Sequence, residues 1–157
     1  MMGGAMTLKI GHLVSIILSA LVMGVYWGPW VALSRSFRTL EPDVFLAIVR
    51  RMSQNLAPLM TVLAPVALLS VLPVLFLSYR PQPGAFFLTL TGLALFILAL
   101  VVTLLVEVPI VQQIEVCTVS TLPDNWPQLR DRWVAFHLIR VGTSVVGLVL
   151  LLIGAIF

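Results

Sequence analysis

Charge is what this sequence has least of. Only 10% of its 157 residues are Asp, Glu, Lys or Arg, where a soluble domain carries about a quarter. That scarcity excludes an ordinary water-soluble domain. Nine basic residues against six acidic ones leave a net charge of +3. This excess is too small to hold a nucleic acid, so none is expected as a partner. Cysteine occurs once, at Cys117, which excludes an intrachain disulfide. The two histidines, His12 and His137, form no His-x-x-x-His or Glu-x-x-His pair. No metal ligand set is therefore assigned.

What fills the chain instead is apolar. Hydrophobic residues make up 61% of it, and the mean hydropathy is +1.13. Four apolar runs stand out, at about 10–33, 56–79, 84–116 and 126–157. Each can cross a hydrocarbon core, which takes about 20 helical residues. Backbone groups in lipid must be satisfied internally, so the runs are predicted to be helices. The expected fold is an all-α membrane four-helix bundle, one domain over 1–157, with the lipid bilayer as its surroundings. The first run is too long for a signal-peptide core and is read as a retained span.

The connections differ in kind. "YRPQPG", from Tyr79 to Gly84, is a tight Pro/Gly turn. Ser34 to Asn55 is longer and mixed. In it Phe45, Ile48, Met52 and Leu56 recur near helical spacing, with Arg50 and Arg51 off that stripe. This amphipathic helix either lies on the membrane surface or extends the second span. Pro58, Pro65 and Pro73 should bend that span. "PDNWP" and "TLEPD" mark helix starts, with Asp124 or Asn125 as one N-cap. Arg35, Arg38, Arg50, Arg51, Arg130, Arg132 and Arg140 lie toward connections one and three, against Lys9 and Arg80 on the other side. The positive-inside rule then puts those connections in the cytoplasm and both termini on the non-cytoplasmic side of a plasma or inner membrane.

Against this background a few polar residues need a reason. Glu107 sits inside "VVTLLVEVPIV", with Thr103 one turn earlier and Pro109 two residues later. A carboxyl group at membrane depth is costly and points to function with a partner, or to a pair that only joins two helices. The partners are in "LPDNWPQLRDRWVAFHLIR". Arg130, Trp133, His137, Arg140 and Ser144 recur every three or four residues and share one helix face. Arg130, Arg132, Trp126 and Trp133 also fit a snorkelling interfacial helix end. His137 and Arg140 lie deeper, about 15–20 Å along the helix, at the level expected for Glu107. Tyr26, Trp27 and Trp30 on the first helix, with Gln54 and Asn55, complete an expected pocket opening toward connections one and three. His12 belongs near the other end, as a packing or interfacial residue.

These residues resemble a known family. "VEVPIVQQI" followed by "NWPQLRDRWVAFHLIR" is similar to the pattern of small four-span membrane proteins that include anthrone oxygenases. Glu107, Pro109, Trp126, Arg130, Arg132, Trp133, His137 and Arg140 match. A glutamine, Gln112 or Gln113, stands where the family has asparagine. The resemblance implies oxidation of a hydrophobic phenolic or polycyclic aromatic substrate by dioxygen. Glu107 or His137 would take a proton, Arg140 and Arg130 would hold the resulting anion, and Tyr26, Trp27, Trp30, Trp133 and Gln112 would line the substrate. The cofactor stays open. An anthrone enolate can itself reduce dioxygen, and a haem or copper centre through His137 and His12 is the alternative. The residues also fit a non-catalytic protein binding a lipid, quinone or anionic small molecule. A subunit of a homo-oligomer or larger assembly, packed through Gly142, Gly147 and Gly154, is a further alternative.

Overall fold

The computed structural model describes residues 2–33 and 36–157. Ser34 and Arg35 lie outside the described residues, so Arg35 enters the charge tally from sequence alone. The chain forms α1 (Met2–Leu33), α2 (Pro42–Ser78), α3 (Pro83–Val102), a π-helical turn (Thr103–Glu107), α4 (Val108–Glu115), a short 3-10 turn (Val119–Thr121) and α5 (Trp126–Ile156). Four helical stretches are long and apolar enough to cross a membrane. Their outer faces carry Leu13, Val62, Leu69, Phe76 and Leu105, all exposed. The chain is an integral membrane protein with the expected bundle, since only lipid accepts such a surface.

Around the bundle, α1 packs on α2 and α5, and α3 packs on the same two helices. The pairs α1/α3 and α2/α5 are therefore diagonal. The closest seam is α3 on α5, and glycine makes it. A Cβ on Gly92 would come within 2.9 Å of the Gly147 carbonyl oxygen. One on Gly154 would come within 2.8 Å of Thr89 Oγ1. Gly147 and Gly154 thus serve an internal contact, while Gly142 faces open space.

The amphipathic segment is the first part of α2. That helix runs unbroken for 37 residues, about 56 Å at 1.5 Å each, well beyond a hydrocarbon core of about 30 Å. Its buried face is Phe45, Leu46 and Val49, rotated from the predicted stripe, and Ile48 and Met52 sit at its edge. The helix runs through Pro58, Pro65 and Pro73 without a break. At the start of α5 no side chain caps the helix. Pro127 removes one of the N–H groups that a cap would reach, and the Gln128 N–H goes to the Asn125 carbonyl at 3.1 Å.

Arg50 has a role that charge counting missed. Its Nε donates to the Glu115 carbonyl at 2.9 Å, and its guanidinium also bonds the Cys117 carbonyl. It thereby satisfies the orphan acceptors at the end of α4, where a cation is favoured.

Candidate functional site

The site begins with Pro109. Proline has no N–H to give the Leu105 carbonyl. Just before it the helix widens, and the Val108 N–H bonds the Thr103 carbonyl five residues back. Such π-turns often mark functional positions. Glu107 closes this turn and points inward, only 3% exposed.

Across from it, α5 presents Trp133, His137, Arg140 and Ser144, all buried. Arg140 Nη1 lies 2.5 Å from Glu107 Oε2 and donates to Thr103 Oγ1 at 3.2 Å. Arg140 Nη2 donates to His137 Nδ1 at 2.6 Å. The guanidinium carbon sits 4.2 Å from the centre of the Tyr26 ring, a cation–π contact. His137 stacks on Trp133, with centroids 5.0 Å apart.

These contacts fix the histidine tautomer. The Tyr26 carbonyl, 3.1 Å from His137 Nε2, can only accept, so Nε2 carries the proton. Guanidinium can only donate, so Nδ1 is the bare acceptor. His137 Nδ1 also lies 3.5 Å from Glu107 Oε1. Both ring nitrogens are occupied.

The ion pair is incomplete. Among the described residues, Glu107 Oε1 and Arg140 Nε are buried without a hydrogen-bond partner. Arg–carboxylate pairs are frequently bidentate forks. Here Glu107 Oε1 and the Arg140 Nε–H stay outside the pair.

The sequence-predicted residues divide. Glu107, His137, Arg140, Tyr26 and Trp133 come together. Arg130 lies above them, bonded to Asp131 at 3.1 Å and set over the Trp126 ring at 5.2 Å. It forms part of the rim. Trp27 is 43% exposed on the lipid side and pairs with Trp30 at 5.1 Å. Gln54, Asn55 and Gln112 are exposed and do not join the cluster. Their helices turn other residues inward: Val49 on α2, and Ile110 and Ile114 on α4.

The expected opening toward connections one and three is closed. Phe37, Phe45, Ile110, Ile114 and Trp133 form one buried apolar cluster there. Phe37 meets Trp133 edge-on at 5.1 Å and Phe45 at 5.9 Å. Phe37 gave no sequence signal, being a single apolar residue among arginines and serines. The nearby void that Tyr26 lines measures about 10 Å³, room for roughly one water.

His12 is buried but lies 14 residues before Tyr26, about 21 Å along α1. It cannot share a metal or haem iron with His137. Among the described residues no three His, Cys, Asp or Glu side chains converge.

A helical membrane bundle with a buried Glu–Arg–His cluster between α1, the π-turn and α5 is the class of protein that these features define. A model of the anthrone oxygenase family matches residues 49–150, more than half of the chain, and the protein belongs to that family. The match includes Glu107, Arg130, Trp133, His137 and Arg140 but leaves out α1, which supplies Tyr26. No curated protein and no solved structure matched the chain.

Proposed function

We propose that the protein is a membrane-embedded oxygenase that oxidises a hydrophobic phenolic or polycyclic aromatic substrate with dioxygen. One observation carries this reading: Glu107 holds Arg140 through Oε2 while its buried Oε1 is left without a donor. A buried carboxyl oxygen with no donor among the described residues can serve as a general base. The free Arg140 Nε–H beside it is a donor for a developing oxyanion.

On an anthrone-like substrate the steps balance as follows. Oε1 removes a proton from the methylene carbon between the two aryl rings. The charge spreads to the ketone oxygen as an enolate, held by Arg140. The enolate gives its electrons to dioxygen, and a carbon–oxygen bond forms. Glu107 returns its proton to the outer peroxide oxygen. Loss of the second methylene proton then cleaves the oxygen–oxygen bond. One oxygen atom stays as the new ketone, and the other leaves as water with both hydrogens. His137 is read as a positioning residue, since its Nδ1 lone pair is already bound to Arg140.

The test is turnover of an anthrone by the protein in nanodiscs. Glu107→Gln should lower the rate by roughly 10²–10⁴-fold, the usual contribution of a positioned base. An unchanged rate would sink the proposal. In the alternative reading, a non-catalytic binder of a lipid, quinone or anionic small molecule, ligand affinity survives Glu107→Gln and falls with Arg140→Ala.

A further inference from the structure

Threonine hydroxyls within a membrane span ordinarily return to their own helix. Thr61 donates to the Ala57 carbonyl at 2.8 Å, Thr91 to the Phe87 carbonyl at 2.9 Å and Thr143 to the Ile139 carbonyl at 3.0 Å. Each of these bonds is exposed on the outside of the bundle. Thr103 makes the same bond, to the Ala99 carbonyl at 2.8 Å. Its oxygen, however, faces Arg140, whose Nη1 donates to it at 3.2 Å. The one hydroxyl hydrogen goes to Ala99, so toward Arg140 the threonine can only accept.

The same residue sets the π-turn. The Thr103 carbonyl accepts the Val108 N–H, and Glu107 ends the turn. Backbone and side chain of Thr103 thus act together, one on the segment that carries the carboxylate and the other on the guanidinium that meets it. That guanidinium is a rigid, planar set of donors. Nη1 lies 2.5 Å from Glu107 Oε2, and Nη2 donates to His137 Nδ1 at 2.6 Å. A fork on the carboxylate would bring a second N–H to Oε1, from Nη2 or from Nε. His137 holds Nη2. Turning the plane to bring Nε round draws Nη1 off Thr103. The single-oxygen pair therefore depends on the threonine hydroxyl as well as on the imidazole.

We propose that Thr103 is a positioning residue for the buried pair: its hydroxyl pins Arg140 against one carboxylate oxygen and so keeps Glu107 Oε1 open to an incoming proton. Without that hydroxyl the guanidinium swings to a two-pronged contact, and Oε1 is occupied. Thr103 acts only through Arg140 and the turn that carries Glu107. Its part in turnover rests on the oxygenase reading, whereas its part in the geometry of the pair does not.

Two measurements on full-length protein in nanodiscs test this separately. The first is the carboxyl infrared band of Glu107, found in protein carrying isotope-labelled glutamate as the band that Glu107→Gln removes. Thr103→Val keeps the side-chain shape and removes the hydroxyl. It should shift this band, and Thr103→Ser should return it to the wild-type position. The second is turnover of an anthrone. Thr103→Val should lower kcat by roughly 10–100-fold, the range of one hydrogen bond to a charged group, with KM little changed. Thr103→Ser should recover most of the rate. Thr103→Ala, which also lacks the hydroxyl, stands in should the valine variant fold poorly. A band unmoved by loss of the hydroxyl overturns the inference. So does a serine variant as impaired as the valine one, or a band that shifts while kcat keeps its wild-type value. If the band shifts and recovers while wild-type protein leaves the anthrone untouched, the positioning of the pair stands and the oxygenase reading falls.

Discussion

Arg140 serves a carboxylate, a hydroxyl, an imidazole and an aromatic face with one guanidinium. Removing it leaves the Glu107 charge buried and unpaired. Arg140→Met should therefore destabilise the protein by about 3–5 kcal/mol. The double variant Glu107→Gln/Arg140→Met should recover most of that loss, because neither partner is then charged. Denaturant unfolding in mixed micelles measures both, and a double variant no more stable than the single one would contradict the account. At this scale the site was partly legible. Glu107, His137 and Arg140 stood out because polar side chains at helical spacing are conspicuous in an apolar chain. The Tyr26 carbonyl was invisible, since a backbone acceptor has no residue type. Gln54, Asn55 and Gln112 misled because polarity alone does not reveal which face of a helix turns inward.

The α3/α5 seam depends on the absence of side chains at particular points. Gly92→Ala puts a methyl group 2.9 Å from the Gly147 carbonyl oxygen, so the helices must separate. The expected cost is about 1–3 kcal/mol, the usual range for overpacking. Gly142→Ala faces open space and should be neutral or stabilising by up to about 1 kcal/mol, because alanine is the better helix former. Thermal unfolding of the two variants side by side checks this, and equal effects would show that the seam tolerates a Cβ. The glycines of α5 were visible in the sequence, but their partner was not, because composition does not say whether a small residue faces its own bundle or another protein. The π-turn was also hidden. Pro109 announced a disturbed ladder, whereas the widening upstream depends on how α3 settles against α5.

For the molecule as a whole, four apolar runs were enough to give the bundle, because lipid leaves the backbone few choices. The overhang of α2 stayed ambiguous, since an amphipathic stripe reads alike on a membrane surface and against neighbouring helices. Cys117, the single cysteine, reports orientation directly from the end of α4. If connections one and three face the cytoplasm, a membrane-impermeant maleimide should label it in inverted vesicles and spare it in intact cells. The reverse pattern would invert the topology. The Arg50 bond to the end of α4 has a mechanical consequence here. It fastens the overhang of α2 to the far end of the α3–α4 rod. One side chain thereby ties the segment that follows connection one to the segment that leads into connection three.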